Sequence, residues 1–361
     1  MGRGTVRNEL FTPELWEKVN PENKQLLEDF LAYKQSSSKS PQTLVQYRQV
    51  IRFFMCWNHL YNNDKHFTEI KKREFVRFFS DASTIYGWSP NRIINVKSSL
   101  SSLSNYIENI LDDEYEDFRN LVIKIEVAEK SPVREKTVLS EEQLDQCLNN
   151  LVKTGKYQVA CYLALDIYSG ARKSELLRFK VDYFKPENIE YGCLYKTPEP
   201  IRTKGRGKNG KMICKYVFAK MFQPYFDMWM QERKRLGIES EWLFVVKKGN
   251  HYEQAKVSTA NSWCDTISQY LGAPFYSHAG RHRLVTMCKE NNLPNSIIVE
   301  LVGWEKGNGD AMVSVYSDID ESKMLADYFD ENGIRTDIKY RTIDDVANKT
   351  ARPNTRNKRR K

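Results

Sequence analysis

The chain has 361 residues, and 56 Lys and Arg against 47 Asp and Glu give it a formal net charge of +9. A hydrophobic fraction of 40% and an aromatic fraction of 12% exclude a mainly disordered chain, and no apolar run approaches the roughly 18 residues of a membrane span. The opening MGRGTVRNELFTPELW has no apolar signal core, and Val6 stands where a myristoylation pattern requires Ser or Thr, so a cytoplasmic protein without a membrane partner is expected.

In chain order, residues 1–21 read as an N-terminal extension. Residues 22–125 read as four to five amphipathic helices with short loops, an all-α domain. Ser40-Pro41 and Ser89-Pro90 each place an N-cap before a proline at the first helical position, and Thr68 is a candidate cap for a helix from Glu69 to Phe79. Leu26, Leu27, Phe30 and Leu31, then Leu44, Tyr47, Ile51, Phe54 and Met55, recur at helical spacing, and Arg92–Ile110 continues the pattern. Residues 126–138, polar and broken by Pro132, read as a linker.

A second domain is expected over 139–335, opened by the capping box Ser140-Glu-Glu-Gln143. Helices are predicted near 140–153, 157–168, 221–235, 256–271, 281–292 and 295–302, with a short amphipathic one over 322–330. Tyr191–Lys196 and Lys211–Phe218 look like strands flanking a Gly-rich turn, Lys204-Gly-Arg-Gly-Lys-Asn-Gly210, and so form a β-hairpin. Seven cysteines, at 56, 147, 161, 193, 214, 264 and 288, form no CxxC pair and lie mostly in apolar stretches. Reduced core thiols explain them better than disulfides or zinc, and no metal site is expected.

The positive charge is local. Residues 201–215 hold six basic and no acidic side chains, and the tail 336–361 ends in Arg356-Asn-Lys-Arg-Arg-Lys361. Residues 31–104 carry eleven basic and four acidic side chains, followed by six acids between Glu108 and Asp117. A surface with phosphate on one side and solvent on the other has this asymmetry, so a polyanionic partner is indicated.

Chemistry-bearing residues recur in a set order. Ser169-Gly-Ala-Arg172-Lys-Ser-Glu175 is a Gly-containing turn into a helix whose early Arg can fork onto phosphate oxygens, with Glu175 spaced to hold it. The Gly-rich basic turn follows. His278-Ala-Gly-Arg281-His282 then puts three cationic or donor side chains on one opening turn. Leu301-Val-Gly-Trp304 and Met312-Val-Ser-Val-Tyr316-Ser-Asp318 close the series. Each alone is a weak signal; the order carries the weight.

That order resembles the tyrosine recombinase, or phage integrase, family, over about residues 22–335. The stretch around Ser40-Pro-Gln-Thr-Leu-Val-Gln-Tyr47 is similar to the core-binding domain of Xer-type recombinases and small integrases. The resemblance implies a mainly α fold, with an all-α, SAM-like core-binding domain and an α+β catalytic domain with a small antiparallel sheet. It implies site-specific recombination of double-stranded DNA through a 3′-phosphotyrosyl link, without metal, ATP or other cofactor. Tyr316 would be the nucleophile. Arg172 and Arg281 would bind the non-bridging oxygens, and Lys204 (or Lys208) would be the general acid for the 5′-oxygen. His278 would take up the Tyr proton, Trp304 would donate its indole N–H where many members have His, and Glu175 and His282 would support them. Arg206, Lys208 and Lys211 on the turn, and Arg48, Lys71, Lys72, Arg92 and Lys97 in the first domain, are candidate DNA contacts.

Further expectations come with the family. It implies a tetramer on two DNA core sites, a monomer or weak oligomer when free, association with the nucleoid when on DNA, and an accessory directionality factor. Arm-type DNA sites are not expected, given the short N-terminal extension. The stretch between Trp304 and Tyr316 looks longer than usual, and Gly307 and Gly309 suggest a flexible loop there. That stretch and the basic tail favour an integrase of a phage or mobile element over a dimer-resolving Xer-type enzyme. A type IB topoisomerase and a non-catalytic DNA-binding relative are the other readings.

Overall fold

Proline after a side-chain cap starts the helices of the N-terminal half. In the computed structural model, which describes residues 11–129, 139–203, 210–304, 307, 309–317, 329–330 and 333–334, α1 is Pro13–Lys18, α2 Pro21–Ser36, α3 Pro41–Tyr61 and α5 Pro90–Ile110. Ser40 Oγ accepts the Thr43 N–H at 3.2 Å, satisfying one of the orphan donors at the start of α3. The helix between them, α4, runs Lys72–Thr84 rather than from Glu69. Thr68 does not cap it: Phe67–Glu69 form a 3-10 turn, Thr68 Oγ1 pairs with His66 Nδ1 at 2.7 Å, and Glu74 Oε2 accepts the Lys71 N–H at 2.8 Å instead.

These helices form one compact unit within residues 11–129. Its core is aromatic: Phe54 stacks on Phe75 with ring centroids 5.1 Å apart and meets Phe67 and Phe78 edge-on. Each fully buried Phe stabilises the unit by roughly 1.5–3 kcal/mol. Two buried asparagines fix the turn after α3, because Asn23 and Asn58 both donate to the Lys65 carbonyl. Phe11, Leu15 and Trp16 also pack on this core, so residues expected in an extension belong to the folded unit.

The second unit lies within residues 139–334. Ser140 and Gln143 cap each other at 3.1 and 3.2 Å, opening α6 (Glu141–Lys153) as expected. Helix α7 (Tyr157–Ser169) is buried all round from Ala160 to Ser169, with α6, α9 (Ala219–Arg235) and α11 (Ala279–Glu290) packed on it. Helix α8 is the short Lys173–Leu176, and α10 (Val257–Leu271) and α12 (Asn295–Val302) complete the layer. None of the seven cysteines, all of them among the described residues, is in a disulfide, and all but Cys214 are buried.

The expected hairpin is present but divided. β1 (Ile189–Glu190), β2 (Leu194–Lys196) and β5 (Tyr216–Phe218) form one antiparallel sheet in the order β1-β2-β5. β3 (Ile201–Thr203), which the sequence reading left out, pairs with β4 (Lys211–Ile213), Thr203 opposite Lys211. The break falls at Thr197, whose Oγ1 accepts the Lys215 N–H at 3.0 Å while its own N–H donates to the Lys215 carbonyl at 2.9 Å. β6 (Val245–Lys248) and β7 (His251–Gln254) make a separate hairpin.

Two expectations near the C-terminus change. Gly309 is no loop residue: it opens α13 (Gly309–Tyr316), and a Cβ there would lie 2.5 Å from Val299 Cγ2, so glycine lets α13 sit against α12. Of the helix expected over 322–330, residues 322–328 lie outside the described residues, and its end, Phe329–Asp330, is strand β8, paired with β9 (Gly333–Ile334). No helix among the described residues is long and apolar enough to cross a membrane.

Candidate active site

Gly170 ends α7 in the left-handed conformation, with φ +55°, which glycine adopts without the steric cost of a Cβ. The chain turns there and delivers Arg172 to the start of α8. Glu175 reaches back over that turn. Its Oε1 accepts Arg172 Nη1 at 2.9 Å and its Oε2 accepts the Arg172 backbone N–H at 3.0 Å. Glu175 is fully buried. Burial alone would raise its carboxyl, but Lys215, the Arg172 backbone and side chain, and Arg281 together hold it at about 2.

Arg281 projects from the first turn of α11 into the same place. Its side chain is fully buried, its Nε donates to the Gly170 carbonyl at 2.6 Å, and its Nη2 lies 3.7 Å from Glu175 Oε2. Neither Nη1 nor Nη2 makes a hydrogen bond among the described residues. Burial and the neighbouring Arg172 lower its pKa to about 10, so it stays charged at neutral pH.

Trp304 follows Gly303, which ends α12 with φ +74°. The indole is buried, its Nε1 also lacks a hydrogen-bond partner among the described residues, and Arg281 Cζ lies 5.8 Å from the ring centroid. Three donor atoms, two from Arg281 and one from Trp304, are therefore withdrawn from water without a hydrogen bond among the described residues. An unpaired buried donor costs about 1–3 kcal/mol, more when charged, which marks this spot as built for an anion.

Tyr316, the last residue of α13, stands beside them. Its ring centroid is 4.5 Å from that of His282, 5.2 Å from Trp304 and 6.3 Å from His278. Its hydroxyl lies 3.5 Å from His278 Nδ1, the outer limit of a hydrogen bond, and its carbonyl lies 3.2 Å from His282 Nδ1. His278 is exposed at the rim, yet protein packed about the ring, then the charges of Arg281, Arg172, His282 and Lys173, push its pKa below the usual histidine value. It is therefore neutral at pH 7 and able to accept a proton.

The structure thus brings together Arg172, Glu175, His278, Arg281, His282, Trp304 and Tyr316. Lys204, Arg206 and Lys208 lie outside the described residues. Lys211 is exposed on β4. In the N-terminal unit, Lys71 and Lys72 are exposed at the start of α4, and Lys97 is half-buried on α5. The Arg92 guanidinium stacks 4.1 Å above the Trp88 ring, and Arg48 is engaged in a two-pronged ion pair with Glu28. Sequence reading missed one site residue, Lys215. It is fully buried, with Nζ 3.0 Å from Glu175 Oε2 and 3.1 Å from the Val302 carbonyl. Its only signal was a cation within the otherwise apolar run Met212-Ile-Cys-Lys-Tyr-Val-Phe218.

Both halves of the chain resemble known proteins. Residues 137–323 match the phage integrase family, and residues 26–117 match the N-terminal SAM-like domain of phage integrases. The SPbeta prophage-derived recombinase-like protein YomM of Bacillus subtilis (strain 168) is 30% identical over 286 residues, 77% of this chain and 82% of that protein. The XerH site-specific recombinase, bound to palindromic difH substrate in a post-cleavage complex, has a similar fold, with a TM-score of 0.59 at 18% identity over 79% of each chain. So has a lambda integrase tetramer bound to a Holliday junction, with 0.57 at 15% identity over 82% of this chain and 77% of that one. With both its domains matched in order and a curated relative aligned across most of its length, the chain belongs to the phage integrase family of tyrosine recombinases.

Proposed function

We propose that the protein is an active site-specific DNA recombinase in which Tyr316 cuts and rejoins duplex DNA. The observation that carries this reading is the set of buried donors without a hydrogen bond among the described residues, Arg281 Nη1 and Nη2 and Trp304 Nε1, next to the Tyr316 hydroxyl and a neutral His278. A scissile phosphate seated there satisfies all three donors. Its non-bridging oxygens gain charge as the fifth bond to phosphorus forms, which preorganised cations stabilise most.

The Tyr316 oxygen attacks phosphorus as its proton passes to His278. A P–O bond forms to tyrosine, and the bond to the 5′-oxygen breaks. Lys204, from the Gly-rich turn, protonates that oxygen. The 3′-phosphotyrosyl link conserves the bond energy, so a 5′-hydroxyl from another strand can reverse the step and release Tyr316. Arg206, Lys208 and Lys211, with Lys71, Lys72, Arg92 and Lys97, make phosphate contacts, and Arg48 joins them by exchanging Glu28 for DNA. Four copies on two core sites, a directionality factor and nucleoid association complete the reading.

The prophage origin of the Bacillus subtilis relative supports service to a phage or integrative element. The test is a duplex nicked near the core site, so that the cleaved end diffuses away and the covalent complex accumulates. The unmodified protein forms an adduct stable to denaturation. Tyr316→Phe binds the duplex and forms none; an adduct in that variant assigns the nucleophile elsewhere.

A further inference from the structure

The ammonium of Lys215 lies at the junction of three functional parts. Its backbone is fixed where the hairpin divides, by the paired hydrogen bonds with Thr197. Its Nζ donates to Glu175 Oε2 on α8 at 3.0 Å and to the Val302 carbonyl at the end of α12 at 3.1 Å. That carbonyl belongs to the last turn of a helix, where no intrahelical N–H reaches it. Gly303 and Trp304 follow immediately, and a Cβ on Gly303 would come within 3.3 Å of Nζ. The side chain is 1% exposed, and its ammonium is engaged by the Glu175 and Val302 acceptors.

Glu175 is the shared counter-charge. Its two oxygens face Arg172, Lys215 and, at 3.7 Å, Arg281 Nη2. A buried carboxylate closes on whatever cation is available, because leaving it unbalanced is costly. With Lys215 at 3.0 Å, Oε2 is already neutralised, and Arg281 can hold its Nη atoms outward. Without Lys215, Arg281 Nη2, at 3.7 Å from Oε2, has under one ångström to travel to a direct hydrogen bond with it.

We propose that Lys215 is a positioning residue: by occupying Glu175 Oε2 and the Val302 carbonyl together, it keeps Arg281 free for the scissile phosphate and fixes the chain entering Trp304. Lys215 acts through Arg281 and Trp304 and does not itself touch DNA. Burial lowers its pKa to about 8 against the pull of Glu175, so it keeps its charge at neutral pH. This role rests on the strand-cleavage reading above.

The experiment uses the full-length protein on two nicked duplexes, one with the natural 5′-oxygen at the scissile bond and one with 5′-sulfur, a leaving group that needs no acid. Lys215→Met is expected to bind both with the affinity of the unmodified protein, and to form adduct about 100-fold more slowly on both, the size of effect seen when one transition-state donor is withdrawn. Lys215→Met combined with Glu175→Gln is expected to recover part of that loss, since a neutral amide no longer draws Arg281 inward but still accepts from Arg172. Restoration by sulfur alone makes Lys215 a proton donor and overturns the proposal. Unchanged cleavage by Lys215→Met, or a double variant no faster than the single, overturns it too. If Lys215→Met does not fold, the cycle is run with Lys215→Gln, and the same recovery or its absence decides. Failure of the unmodified protein to form any adduct refutes the cleavage reading itself, a result distinct from all of these.

Discussion

The Arg281 guanidinium donates from Nε to the Gly170 carbonyl at 2.6 Å, tying the turn that presents Arg172 to the helix that presents Arg281. The two residues are 111 positions apart in the chain. This bond uses the inner nitrogen of the fork and aims the outer two into the site. Arg281→Lys keeps the charge but has no second nitrogen for both tasks. Adduct formation is expected to fall by about 100- to 1,000-fold with DNA binding retained, read by single-turnover cleavage beside a binding titration.

Gly280→Ala tests the packing beneath this arginine. Alanine ordinarily stabilises a helix interior by about 0.5–1 kcal/mol over glycine. Here a Cβ would lie 2.6 Å from Asp166 Cγ and 2.8 Å from the Asp166 backbone carbon, and backbone on the buried α7 does not yield cheaply. The sign therefore reverses, with a loss of about 1–3 kcal/mol. Denaturant unfolding measures it, and a midpoint at or above that of the unmodified protein contradicts the close approach of α11 to α7.

Trp304→Phe separates packing from hydrogen bonding. Phenylalanine keeps an aromatic ring against Tyr316, whose centroid is 5.2 Å from the indole, and deletes Nε1. Thermal stability is expected to change little, while cleavage falls by about 10- to 100-fold for one lost donor. Cleavage at the original rate would show that the indole serves only to pack.

The pH dependence follows from His278. Its pKa lies below the usual histidine value through loss of water and then its cationic neighbours, so the neutral form persists at neutral pH. As pH falls, protonation removes the acceptor for the Tyr316 proton, and cleavage declines with an acid limb below about pH 6.5. The same lowering makes the folded state bind fewer protons than the unfolded one, so this group's contribution to stability is present above the unfolded value and shrinks in acid. His278→Ala should be slow and should lose that limb. A limb unchanged in the variant points to another base.

The helices were largely legible because their signals are local. Ser40-Pro41, Ser89-Pro90 and the Ser140–Gln143 box are complete within a single turn, and each starts a helix where expected. Thr68 failed for an equally local reason, since His66 took its hydroxyl and Glu74 was the better cap for Lys71. The strand Ile201–Thr203 was missed because three residues carry too little pattern to distinguish strand from loop. Gly309 reads as loop in any local window; only the closeness of Val299 shows it to be the small residue a helix contact needs.

The amino-acid sequence by itself settled the family, because the residue types and their order suffice to recognise it: Arg172, His278, Arg281, Trp304 and Tyr316. The tertiary structure decided which of their atoms are committed and which are free. Arg281 Nε belongs to Gly170 and its Nη atoms to the site; Glu175 divides itself among three cations; and Lys215, in a basic stretch, is fully buried. The reason is physical. A charge's role is set by what lies within a few ångströms of it and by the water it has lost, and neither is written in the spacing of residues along a chain.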